Sequence, residues 1–241
     1  MKATQHGDYL TQLTRFPLLF PMNCYLVREE DGYTLIDTTM SGSASAIIAA
    51  AQAGGLPIRR IALTHAHGDH AGSLDALHAA LPEAEVLAPA REARFLRGEL
   101  TLDPDEPQEK LRGGWATCTT RPTRELRPGD RVGSLEVIAA PGHTPGHVAY
   151  FDHRDRTLIA GDAFQTRGGL AVAGVVRPLF PFVAMGTWQR GVALETARAL
   201  RALDPARLAV GHGLVLEAPG AALDRAIAAA EQAAGREQRH A

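Results

Sequence analysis

Thr64-His65-Ala66-His67-Gly68-Asp69-His70 places three histidines and one aspartate within seven residues. Imidazole nitrogen and carboxylate oxygen are ligands of zinc, iron and manganese. Four such groups on so short a segment cannot all point one way, so the spacing suits two adjacent ions better than one. Two cations close together bring a shared water to near-neutral pKa, which is hydrolytic chemistry. The remaining ligands must come from elsewhere in the chain.

Three further segments have the same layout, a short apolar run followed by a glycine-containing turn with His or Asp. Leu135–Ala139 runs into Pro141-Gly142-His143, Thr157–Ala160 into Gly161-Asp162, and Leu208–Val210 into Gly211-His212-Gly213. In the first motif, Ile61-Ala62-Leu63 runs into His65. Each run reads as a strand, so four strands deliver a His or Asp at their C-terminal ends, where ligands bind in open α/β sheets. Glycine beside a ligand permits the tight turn that aims the side chain.

The elements that must position these residues alternate between strand-like and helix-like patterns. Strands are expected at 23–27, 33–36, 58–64, 85–87, 125–126, 131–132, 135–139, 148–152, 157–160 and 208–210. Helices are expected at 45–53, 71–81, 89–96, 187–203 and 221–234, several of them closed by Gly or Pro. Residues 98–121 carry Pro104, Pro107 and a Gly113-Gly114 pair without periodicity, and read as an insertion or lid. Residues 170–188 form an apolar, Pro-punctuated stretch that reads as a pocket wall, a packed connection or a homodimer surface.

On the HxHxDH, PGHTPGH, GD and GHG segments, in this order, the chain resembles the metallo-β-lactamase superfamily of metal-dependent hydrolases. The resemblance runs from Asn23 to Gly213. It implies an α/β fold, a four-layer αββα sandwich, in one domain over residues 1–241. It also implies two divalent metal ions, zinc before iron or manganese. His65, His67 and His143 would hold the first ion, Asp69, His70 and His212 the second, and Asp162 would bridge them. Asp69 would be catalytic, touching both an ion and the attacking hydroxide and passing a proton to the leaving group. His147 is read as structural, because the ligand count is full without it. Asp37 resembles an aspartate that orients a ligand histidine in the family; a strand-end turn carboxylate is the equal alternative. His6, His78, His153 and His240 read as packed or solvated residues.

The 241 residues are 45% apolar and 22% charged with a net charge of −2, an ordinary globular composition. No basic stripe is present to grip a phosphate backbone, so nucleic acid is not an expected partner. Cys24 and Cys118 make no disulfide framework, and the polar start lacks the apolar core of a signal peptide. A cytoplasmic protein with no membrane partner is expected, a homodimer being the one assembly considered. Penicillin-type lactams are disfavoured, because the zinc β-lactamases are exported and lack the bridging aspartate. The expected substrate is a small ester, lactone or thioester, lactone first. The alternatives are a glyoxalase II-like thioesterase and a mononuclear iron persulfide dioxygenase.

Overall fold

A computed structural model describes residues 1–238; His240 lies outside the described residues. Seven strands form the first sheet in sequential order: β1 (Lys2–His6), β2 (Leu10–Arg15), β3 (Met22–Arg28), β4 (Tyr33–Ile36), β5 (Ile58–Ala62), β6 (Glu85–Pro89) and β7 (Arg124–Leu126). Its first four strands are antiparallel and the last four run parallel. The second sheet begins with β8 (Arg131–Val132), β9 (Leu135–Ala139), β10 (Val148–Asp152) and β11 (Thr157–Ile159). A separate ribbon follows, β12 (Phe164–Gln165) with β13 (Ala171–Val172), before β14 (Arg207–Ala209) and β15 (Leu216–Glu217) complete the second sheet on the β11 side. Because β9 and β10, and β10 and β11, are antiparallel while β11 and β14 are parallel, β9, β11 and β14 all end on the same edge.

The helices are α1 (Ala44–Ala53), α2 (Gly68–Ala71), α3 (Leu74–Ala80), α4 (Ala90–Leu96), α5 (Phe182–Gly186), α6 (Arg190–Ala202) and α7 (Gly220–Gln238). Period-two alternation in strands that are apolar on both faces explains the layering. In β3, Cys24 and Leu26 join a cluster with Ile47, Leu74, Leu77 and Phe95 beneath α1, α3 and α4. Tyr25 and Val27, one residue out of phase, join Val137, Val148, Tyr150 and Ile159 between the two sheets. In β10 the partition repeats, with Ala149 and Phe151 facing Ala197, Leu200 and Leu223 of α6 and α7. Three apolar layers between four layers of structure make the αββα sandwich.

Two elements differ from the sequence reading. The helix expected over 71–81 is divided into α2 and α3 at Gly72-Ser73, because Ser73 is tied to the 40–43 loop. Its hydroxyl donates to Met40 O (2.7 Å) and accepts from Ser43 N (2.9 Å). The β1–β2 hairpin was not expected, since its outer strand is polar, mostly solvent-facing and without apolar alternation. Residues 98–121 hold no helix or strand, but Arg91 and Arg94 pin them through Glu106, Asp103 and Thr101. The apolar stretch 170–188 contains β13 and α5. Among the described residues no helix is long and apolar enough to cross a membrane.

Candidate metal centre

Each predicted site residue leaves a strand end on one edge of the sandwich. His65 and His67 follow β5, and α2 carries Asp69 and His70. His143 follows β9, Asp162 sits in a short 3-10 turn (Gly161–Ala163) after β11, and His212 follows β14. Cross-sheet bonds fix these loops against one another. Tyr150 Oη donates to Leu63 O (2.7 Å), Val148 N to Thr64 O (3.1 Å), and Tyr25 Oη to Val210 O (2.6 Å). Gly211 is required where the loops meet: a Cβ there would overlap the Asp162 carboxylate and the His70 ring.

All seven side chains converge. The donor atoms of His65, His67 and His143 lie within 4.8 Å of one another, as do those of Asp69, His70 and His212. Asp162 stands between the two groups. Its Oδ2 is 3.4 Å from His143 Nε2 and 3.3 Å from His212 Nε2, and its Oδ1 is 3.3 Å from His70 Nε2. His147 lies outside the set, its Nε2 accepting the Asp162 backbone N–H at 3.0 Å.

The nitrogen on the far side of each ligand ring is occupied, which assigns the tautomer. His65 Nδ1 meets Thr64 Oγ1 (3.0 Å), His67 Nε2 meets Arg112 O (3.0 Å), and His70 Nδ1 meets Asp37 Oδ2 (2.8 Å). His143 Nδ1 meets Thr187 Oγ1 (3.2 Å), and His212 Nδ1 meets Pro21 O (2.7 Å). A carbonyl can only accept, so His67 carries its proton on Nε2. The Thr187 hydroxyl donates to Val183 O, so His143 donates to it from Nδ1. His67 Nδ1 and His143 Nε2 are therefore bare lone pairs, buried, only 3.0 Å apart. Two acceptors cannot satisfy each other; a cation between them can. His65 Nε2, His70 Nε2 and Asp162 Oδ1 are likewise buried without a hydrogen-bond partner. The donor set fits metal ions, and it is of the N/O type that zinc, iron and manganese accept.

The electrostatics agree. Burial drives His65, His67 and His143 below the usual imidazole range, leaving three neutral rings as ligands. Burial acts the same way on His212, but Asp162 and Asp69 outweigh it and hold it up to about 10. At His70, Asp162 and Asp37 likewise overcome burial and raise the pKa well above the ordinary value. Burial would raise Asp162 and Asp69, yet His212 and His70 hold both carboxyls ionised. Protons on His70 and His212 thus stand where positive charge is demanded, and metal binding would release them.

Three residues complete the site beyond the predicted seven. Asp37, at φ +62°, accepts Thr64 N–H (2.8 Å), the Thr64 hydroxyl (2.8 Å) and His70 Nδ1–H (2.8 Å), so it is the orienting residue and not merely a turn carboxylate. Thr187 orients His143, as above. Glu92 in α4, fully buried, accepts Ala66 N–H (2.9 Å), the Thr144 hydroxyl (2.8 Å) and Gly146 N–H (2.8 Å); burial pushes it up to about 7. Sequence reasoning missed Glu92, whose only local signal is an acidic residue on the inward face of a helix.

Two cavities open on the ligands. One of about 330 Å³ lies directly over them, walled by Phe182, Val183, Met185, Gly113 and Gly114. A larger one of about 780 Å³ adjoins it, sharing Asp69 and Gly114, and is lined by Phe16, Phe20, Met22, Met40, Trp115 and Ala116 among others. No lysine or arginine lines either cavity among the described residues.

The sequence model described as the metallo-beta-lactamase superfamily matches residues 18–212. The chain is 46% identical over 233 residues to a protein of Bacillus subtilis (strain 168) named "Uncharacterized protein YobT", covering 96% of this chain and 100% of that one. It is 32% identical over 148 residues to a hydroxyacylglutathione hydrolase of Aeromonas hydrophila subsp. hydrophila, covering 60% of this chain and 47% of that enzyme. Among solved structures, TTHA1623 in a di-iron-bound form matches at a TM-score of 0.63 and 27% identity, covering 88% of this chain and 96% of that one.

Proposed function

Since this chain belongs to the metallo-beta-lactamase superfamily, we propose that it hydrolyses a small ester, lactone or thioester with an uncharged apolar arm, over a pair of divalent metal ions. The observation that carries the two-ion reading is the Asp162 carboxylate, within 3.4 Å of His143 on one side and 3.3 Å of both His70 and His212 on the other. One ion would rest on His65, His67 and His143, the other on Asp69, His70 and His212, with Asp162 shared. When bound, such a pair lowers the pKa of a water between them and polarises the substrate carbonyl.

The chain's own residues do the rest. Asp69 is half-buried and borders both cavities, and His70 and His212 keep it ionised. This position supports a role in which Asp69 would take a proton from the attacking water and hand it to the leaving alkoxide or thiolate. Asp37 and Thr187 engage Nδ1 of the His70 and His143 rings and so turn Nε2 of each inward.

The larger cavity supports the choice of substrate. A pocket of about 780 Å³ lined by Phe, Met and Trp side chains takes an acyl or alkyl arm. Among the described residues its walls carry no lysine or arginine to pair with the carboxylates of a glutathione conjugate, which supports an uncharged arm over hydroxyacylglutathione. A lactone is the first choice within the class.

The test is a hydrolysis panel on protein of measured metal content: acyl lactones, p-nitrophenyl esters, thioesters including a hydroxyacylglutathione, phosphodiesters and lactams. Turnover concentrated on lactones and esters with apolar arms is expected. Turnover confined to hydroxyacylglutathione, phosphodiesters or lactams contradicts the proposal.

A further inference from the structure

Metal sites are held by what lies behind the ligands as much as by the ligands themselves. Around this centre two buried carboxylates belong to neither ligand group. Asp37 grips Thr64 and His70, and so braces the second triad. The first triad is split between two loops, His65 and His67 after β5 and His143 after β9, which meet at their bases through Val148 N to Thr64 O (3.1 Å). Beside the ligands themselves, the side chain that spans both loops is Glu92.

We propose that Glu92 is the positioning residue of the first triad, fixing the His65/His67 loop against the His143 loop so that their lone pairs converge on one ion. The inference rests on the two-ion reading of the site given above. Glu92 Oε2 accepts from Ala66 N, the residue between His65 and His67 (2.9 Å). Oε1 accepts from Thr144 Oγ1, adjacent to His143, and from Gly146 N, each at 2.8 Å.

Two features distinguish this from an ordinary buried contact. First, no cation forms a hydrogen bond or ion pair with the carboxylate among the described residues: neighbouring Arg91 directs its guanidinium to Glu106 and Thr101 O. A buried carboxylate held only by neutral donors is costly. Second, all three donors belong to the two ligand-bearing loops. A carboxylate presents acceptors on both oxygens, whereas the amide of Gln presents one oxygen and one NH2. Glu92→Gln must therefore face a donor with a donor at one of the two loops, with almost no change in volume.

Among the described residues the second triad makes no hydrogen bond or ion pair with Glu92, which makes the test site-specific. The full chain carrying His212→Ala retains the first triad, and the chain carrying His143→Ala retains the second. Zn²⁺ affinity is measured in each background at about pH 8 by competition with a chromophoric chelator, and Co²⁺ spectra report the ligand geometry. Adding Glu92→Gln is expected to weaken the ion of the His212→Ala protein about 10–100-fold and to leave the ion of the His143→Ala protein unchanged. Thr144→Val, which removes one donor of the three and keeps the side chain's shape, is expected to weaken the same ion by less. It serves as the test on its own if Glu92→Gln does not fold. Equal weakening in both backgrounds, or in neither, overturns the role of Glu92. A wild-type chain that binds no Zn²⁺ or Co²⁺ overturns instead the two-ion reading on which the role rests.

Discussion

Replacing Asp37 by Asn changes one atom and almost no volume, and the structure fixes what that atom does. Asp37 Oδ1 accepts the Thr64 N–H, and Oδ2 accepts the Thr64 hydroxyl and His70 Nδ1–H, all at 2.8 Å. An Asn amide offers one oxygen. Turned toward Thr64 N, it leaves NH2 facing His70 Nδ1–H; turned toward His70, it leaves NH2 facing the backbone N–H of Thr64. The Thr64 hydroxyl can rotate to accept, but one buried donor remains opposed by another, at a cost of about 1–3 kcal/mol. His70 can escape only by moving its proton to Nε2, the nitrogen that faces Asp69 and Asp162, which removes it as a ligand. The free-energy loss converts to a roughly 5–150-fold weaker second ion, at 1.4 kcal/mol per decade. Zn²⁺ competition titration of Asp37→Asn should show one ion weakened to that degree and the other unchanged, with hydrolysis recovering as Zn²⁺ is raised. Wild-type affinity for both ions in a folded Asp37→Asn protein would mean that the orientation of His70 does not depend on this carboxylate.

Four further outcomes follow from the same geometry. Asp69→Ala in metal-replete protein should lower kcat by about 10²–10⁴-fold; near wild-type turnover sinks its role as proton carrier. Gly211→Ala puts a methyl into the Asp162 carboxylate and the His70 ring, so the variant should lose about 1–3 kcal/mol of stability and bound metal together, and an unaffected thermal melt with full metal content contradicts this. Ser41→Trp projects a ring into the larger cavity. Displacing two or three methylenes at about 0.8 kcal/mol each should cut the ratio of kcat/KM for p-nitrophenyl octanoate over acetate by roughly tenfold or more, and an unchanged ratio removes the apolar-arm assignment. Burial pushes Glu92 up to about 7 from an ordinary 4.5, so its contribution to metal-free stability is fully present below the unfolded pKa and is lost as pH rises through about 7. Urea unfolding of the metal-free protein should show wild type losing about 3 kcal/mol more than Glu92→Gln between about pH 4 and 8, whereas parallel profiles would mean that Glu92 does not titrate in this way.

The seven converging residues were legible because their signal is local. Each lies at the end of a short apolar run beside glycine, and strand ends on one edge of a sheet bring such residues together without further information. His65, His67, Asp69 and His70 share one segment, and the structure brings His143, Asp162 and His212 to them. The groups behind the ligands were not legible. His67 and His212 are oriented by the carbonyls of Arg112 and Pro21, and a backbone carbonyl carries no side-chain signature. Glu92 stands between Arg91 and Arg94, where a charged residue reads as helix surface; only the packing of α4 against both loops turns it inward. Asp37 supported two readings in sequence, and the 2.8 Å contact to His70 decides between them. The larger cavity needs Phe16, Phe20, Met22 and Met40 beside Trp115 and Ala116, a meeting of distant segments that no periodicity foretells. The division of the expected 71–81 helix likewise rests on Ser73 reaching the 40–43 loop.

If Asp162 joins two metal ions in one hydrolytic centre, the metal-to-protein ratio of the active protein must show it. Elemental analysis of the chain purified without chelator, assayed on the same sample for lactone and ester hydrolysis, should give two divalent ions per chain, with activity that falls as the second ion is removed and does not depend on oxygen. One iron per chain, with oxygen consumed during turnover and no hydrolysis, would contradict the account.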